Sequence, residues 1–122
     1  MACLMFVDDD ITTLELMERA VGILGHKALL CASVSEALRT AADCRPDVIL
    51  ADLGLLRDGG GRLFINQFRE SSSIAGIPVT VMSAGWTRED VEQVKRDGFC
   101  QYLEKPIHLD TLSKIIQTYE PR

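Results

Sequence analysis

The 122-residue chain predicts an α/β fold: one parallel sheet of five strands, doubly wound, with helices on both faces. Three observations predict it. Short apolar or β-branched runs alternate with helical patterns five times over, with no repeat, low-complexity tract or interior linker between them. Several of those runs are apolar throughout, as strands covered on both faces are. Finally, the polar residues of chemical interest stand just after the runs, at the strand ends where open α/β sheets bind ligands.

Taken in order, the first strand is CLMFV at 3–7, and the helix after it has Leu14, Met17, Val21 and Leu24 on one face before Gly25 stops it. The second strand is KALLC at 27–31. Ser33 and Glu36 form a capping-box pair that opens a helix with the stripe Val34, Ala37, Leu38 and Ala41. DVILA at 47–51 is the third strand, and a further helical pattern separates it from the fourth, PVTVM at 78–82. Thr87 with Asp90 is a weaker start signal for the helix TREDVEQVKRDG, which has mainly Val91 and Val94 to bury and ends at Gly98. QYLE at 101–104 is the fifth strand. The last helix has Leu109, Leu112, Ile116 and Tyr119 on its stripe, and His108 stands before it as a weak cap.

Composition narrows the class. The length suits one domain, 1–122, with a single well-formed core. No apolar run approaches the roughly 18 residues of a bilayer span. The first residues lack the basic, apolar and small-residue regions of a secretion signal, so the expected compartment is the cytoplasm. Cys3, Cys31, Cys44 and Cys100 lie far apart without a CxxC pair, which fits neither a disulfide framework nor a zinc site and leaves reduced thiols, mostly as core filler. A net charge of −5 spread along the chain offers neither a basic footprint for nucleic acid nor a polybasic membrane patch. His26, in the turn LGHKA, reads as surface.

The strand ends gather Asp8, Asp9 and Asp10 after the first strand, Asp52 after the third, Ser83 after the fourth and Lys105, followed by Pro106, after the fifth. Asp10 suffices to cap the helix that follows it. Asp8 and Asp9 are not needed for that, and further carboxylates repel one another unless a cation is present. With Asp52 on the neighbouring strand they describe a site for a hard cation, for which Mg²⁺ is the candidate: it takes oxygen ligands, keeps waters and usually shares its shell with a phosphate. Lys105 and the Ser83 hydroxyl supply partners for a phosphoryl group. Asp52 is then the carboxylate free to act as nucleophile, giving an aspartyl phosphate.

From VDDD through VILADLGL and VTVMSAG to YLEKP, the whole chain resembles the receiver domain of two-component response regulators. The resemblance implies a flavodoxin-like strand order 2-1-3-4-5. It implies that Asp52 accepts a phosphoryl group from a sensor histidine kinase or histidine phosphotransfer protein. Asp8, Asp9, Asp52 and the backbone carbonyl of Gly54 would hold Mg²⁺. Ser83 and Lys105 would bind the phosphoryl oxygens, and Tyr102 would match the aromatic that swings inward as Ser83 moves. Phosphorylation would then bias the face built by the fourth helix, fifth strand and fifth helix, through which a homodimer or a downstream protein is expected to bind. The thin apolar face of the fourth helix agrees, since few contacts make a helix easy to shift.

Departures from the family pattern are equally legible. A proline common four residues after the phosphoacceptor is here Leu56, followed by RDGGGR, which predicts a mobile loop and weaker Mg²⁺ binding. Gly54 and Gly85, two residues after Asp52 and Ser83, have no side chain with which to place or exclude an attacking water. Two rival classes remain: a degenerate receiver kept as a protein-binding module, and an aspartate-nucleophile phosphohydrolase. The second would carry a further acid where this chain has Gly54.

Overall fold

The computed structural model describes residues 1–56 and 60–121. Strands β1 (Cys3–Val7), β2 (Lys27–Cys31), β3 (Val48–Asp52), β4 (Val79–Ser83) and β5 (Gln101–Glu104) alternate with helices α1 (Ile11–Ile23), α2 (Val34–Cys44), α3 (Gly60–Glu70), α4 (Arg88–Asp97) and α5 (Leu109–Tyr119). A short 3-10 turn, Leu53–Leu56, follows β3. The sheet is parallel throughout, in the order β2-β1-β3-β4-β5. This is the flavodoxin-like arrangement that the resemblance implied.

Strand alternation divides the interior in two. Leu4, Phe6, Val48, Leu50 and Met82 face α1 and α5, where Leu14, Met17, Val21, Leu112, Ile115 and Ile116 cover them. Met5, Val7, Ile49, Ala51, Val79 and Val81 point the other way, onto α2, α3 and α4. That second half rests on Phe64 and Phe68, both fully buried with ring centroids 4.8 Å apart.

Two strands start one residue later than the sequence suggested, so that Asp52 and Ser83 end β3 and β4 instead of following them. The cause lies at the entry. Asp47 is spent as a bracket, its carboxylate accepting from Cys3 N–H at 2.7 Å and its own N–H donating to Cys3 O at 2.8 Å. Pro78 has no N–H to give and contributes only its carbonyl, which accepts from Ile49 at 3.0 Å.

Helix ends follow local chemistry with some reassignments. Thr87 and Asp90 make the reciprocal capping box, so the start signal that read as weaker is the complete one. Ser33 caps Glu36 N–H at 3.2 Å, but the Glu36 carboxylate reaches past it to Ala32 N–H at 3.1 Å. Gly25 and Gly98 take positive φ where α1 and α4 stop. His108 occupies the N-cap position of α5, but its side chain makes no cap bond, so the weak cap expected there is not formed. Leu109, however, is exposed at the mouth of that helix, and Ile115 takes a place on the buried stripe.

Two further expectations are corrected. His26 is no bystander, because its Nδ1 accepts from Ala2 N–H at 2.9 Å and ties the turn before β2 to the start of β1. Of the four free thiols only Cys31 is core, whereas Cys44 and Cys100 are exposed. Leu56 is a buried core side chain in its own right, not merely an absent proline. Of the predicted mobile loop RDGGGR, 57–59 lie outside the described residues, whereas Gly60, Gly61 and Arg62 are not loop but the first turn of α3. Gly61 has a packing reason: a Cβ there would meet Leu56 O at 3.3 Å and Asp97 Oδ2 at 3.1 Å. Among the described residues no helix is long and apolar enough to cross a membrane.

Candidate functional site

Register brings the strand ends together. Val7 pairs with Ala51, Asp52 with Met82 and Ser83 with Glu104, so the residues at or after these positions share one edge of the sheet. Asp8 leaves β1 with its N–H donating to Cys31 O at 3.0 Å, and only 1% of its surface is exposed. Its Oδ1 accepts from Asp10 N–H at 3.0 Å. Asp10 itself is the N-cap of α1, its carboxylate accepting from Thr12 N–H at 3.1 Å and the Thr13 hydroxyl at 2.8 Å, which is the capping role read from the sequence. Asp9 lies exposed beside them.

One carboxylate oxygen from each of Asp8, Asp9 and Asp52 falls within 4.8 Å of the others. Three carboxylate donors gathered in one group fit a hard dication in chemistry.

Lys105 stands across from the acids. Its Nζ donates to Asp52 Oδ1 at 2.6 Å and to Asp8 Oδ2 at 2.8 Å. Burial alone would lower the ammonium's pKa, but the hydrogen bonds and charges of Asp52 and Asp8 together outweigh it and raise the pKa above its ordinary value. The Lys105–Pro106 peptide is cis. Asp52 Oδ2 accepts from Gly54 N–H at 2.9 Å, and a Cβ on residue 54 would stand 2.7 Å from that oxygen. Glycine therefore leaves the carboxylate its room.

Ser83 is buried at the end of β4, and its backbone carbonyl accepts from Lys105 N–H at 2.8 Å. Its hydroxyl is turned to the loop, accepting from Gly85 N–H at 3.2 Å. Tyr102 is 42% exposed on the outer side of β5. The structure thus brings Asp8, Asp9, Asp52 and Lys105 into one constellation, sets Ser83 on the adjoining strand end, and leaves Tyr102 outward.

One residue escaped the sequence reading. Trp86 donates its indole N–H to Leu103 O at 2.7 Å and packs its ring against that of Tyr102, with centroids 5.1 Å apart. The signal was present, since this is the sole tryptophan and stands three residues after Ser83.

Comparison with known proteins agrees with this geometry. Over 115 residues, 94% of this chain and 93% of the relative, the sequence is 26% identical to the polar-differentiation response regulator DivK of Brucella anthropi. The chemotaxis protein CheY4 of Vibrio cholerae superimposes with a TM-score of 0.84 at 27% identity, covering 98% of both chains. The receiver domain of sensor histidine kinase PA1611 from Pseudomonas aeruginosa, solved with a magnesium ion in its active-site cleft, gives 0.82 at 25% identity over 97% of this chain and 96% of that one. The family profile described as response regulator receiver domain matches residues 4–117, and with the strand order and acidic edge already in place the chain belongs to that family.

Proposed function

We propose that this protein is a working phosphoacceptor, taking a phosphoryl group onto Asp52 from a phosphohistidine of a sensor histidine kinase or histidine phosphotransfer protein. The observation that carries the reading is the Asp52 carboxylate, bonded by Lys105 at 2.6 Å and flanked by Asp8 and Asp9 at a strand end. An Asp52 carboxylate oxygen attacks phosphorus and forms the new P–O bond. The P–N bond to the donor imidazole breaks, and its electron pair stays on the imidazole nitrogen. Asp8, Asp9 and Asp52, with the Gly54 carbonyl, would hold Mg²⁺, which when bound supplies charge compensation for the phosphoryl oxygens. Lys105 keeps its ammonium across the same carboxylates and would follow a phosphoryl oxygen as charge develops there.

The same reading makes Ser83 the hydroxyl that bonds a phosphoryl oxygen, and the face of α4, β5 and α5, including Tyr102, the surface that passes the signal to a downstream protein or a second copy. The chain is on this view a signalling domain that assists its own phosphorylation without turning over an external substrate. Exposed Ile11 and Leu16 on α1, beside the site, offer apolar contact to the histidine-bearing partner.

Intact mass after incubation with acetyl phosphate tests the assignment. One phosphoryl adduct that requires Mg²⁺ and is absent from Asp52→Asn is the expected result. A folded protein that gains no adduct would instead be the binding module, and release of inorganic phosphate from unrelated monoesters would favour a hydrolase.

A further inference from the structure

The segment from Ser83 to Trp86 is anchored at both ends. At one end the Ser83 carbonyl is fixed by Lys105 N–H at 2.8 Å, so the strand end is held while its side chain and the loop beyond it remain to respond. At the other, the Trp86 indole N–H is bonded to Leu103 O at 2.7 Å, two residues before Lys105. Between these anchors stand only Ala84 and Gly85, and nothing lies within 4 Å of where a Cβ on Gly85 would be. The loop is short and has open space at its middle.

Its contents are coupled in series. The Ser83 hydroxyl accepts from Gly85 N–H at 3.2 Å, with Gly85 O also 3.4 Å away. Gly85 is joined directly to Trp86. The indole rests partly buried on the core beneath α2, α3 and α4, and the Tyr102 ring leans on its outer side at 57°. A hydroxyl that turns from Gly85 toward an oxygen on Asp52 takes away the acceptor of the Gly85 N–H and frees a short loop whose far end is the indole bond.

From this geometry we propose that Trp86 is a positioning residue of the phosphoryl switch, a latch whose bond to Leu103 opens when Ser83 engages a group on Asp52 and which carries Tyr102 with it. The proposal rests on the phosphoacceptor reading of Asp52 given above. The latch holds the unmodified state and opposes the modified one. It therefore sets how much phosphoryl-group binding is needed to move the Tyr102 face.

The test uses the whole chain with Mg²⁺ and beryllium fluoride as the phosphoryl mimic. Because the chain has one tryptophan, its emission reports Trp86 alone. The expected result is an emission change that saturates with the mimic and is absent in Asp52→Asn. Trp86→Phe keeps an aromatic ring but has no N–H to give to Leu103, and by calorimetry it should bind the mimic about fivefold more tightly, the worth of one net hydrogen bond. A merely structural tryptophan would weaken folding in that variant without tightening the mimic. Mimic binding with unchanged emission, and with Trp86→Phe within about twofold of wild type, would overturn the latch and leave the phosphoacceptor intact. Neither an acetyl phosphate adduct nor mimic binding in wild type would overturn the phosphoacceptor reading and the latch together.

Discussion

Replacing Lys105 by methionine keeps an unbranched chain of similar length and removes the ammonium that bridges Asp8 and Asp52. Two contacts, at 2.8 and 2.6 Å, are lost at once. The Asp8 side chain is 2% exposed and has little water to replace its partner, whereas Asp52 is 17% exposed and recovers part of its hydration. Breaking a buried ion pair costs about 3–5 kcal/mol, and the partial exposure of Asp52 places this one at about 3. With a urea dependence of about 1.5 kcal/mol per molar for a domain of this size, the metal-free unfolding midpoint should fall by about 2 M with an unchanged slope. Mg²⁺ should then stabilise the variant more than the wild type, because in the variant the dication replaces the missing charge; at a hundredfold excess over Kd the gain is about 2.7 kcal/mol. A metal-free midpoint that moves by less than about 0.3 M would refute the reasoning and place these contacts among surface pairs worth almost nothing.

Three other outcomes follow from particular contacts. Gly61→Ala should destabilise by about 1 kcal/mol despite its better helix propensity, because the added methyl meets Leu56 O and Asp97; chemical denaturation reads it. Arg45 closes α2 with φ of 43°, so Arg45→Gly should gain about 0.5–1 kcal/mol in the same assay. Burial first, and then the hydrogen bond to Cys100, push Tyr119 up to about 12 from an ordinary 10.0. A phenol that stays protonated in the fold contributes stability fully present below pH 10 and lost as pH rises toward 12. Tyr119→Phe should flatten that alkaline loss and remove the tyrosinate absorbance step near the top of the window.

How much of this could be read in advance depended on whether a residue's role was local. Strands such as CLMFV and the cap at Ser33 announce themselves through composition and spacing, and the acids at 8, 9 and 52 follow from knowing that strand ends converge. Leu56 showed only as an absent proline, because its burial against α3 is a tertiary fact that its position in a loop conceals. Gly61 looked like flexibility, yet its reason lies in the approach of Asp97 and Leu56 O. Trp86 could be noticed but not understood, since Leu103 stands 17 residues away and only the pairing of β4 with β5 brings the two together. His26 belongs with these, its partner Ala2 being 24 residues distant.

The sheet also partitions the interior. Because alternate residues of each strand serve two separate apolar clusters, a change beneath α1 and α5 is insulated from one beneath α2, α3 and α4. Losses from, for example, Leu14 and Phe64 should therefore add to within about 0.5 kcal/mol. A lineage carrying this fold can rework the packing of one half while the other stays as it was. Asp8, Asp52, Ser83 and Lys105 are the exception, because they bond one another across the ends of strands that serve both halves. At those positions no substitution is private to one side.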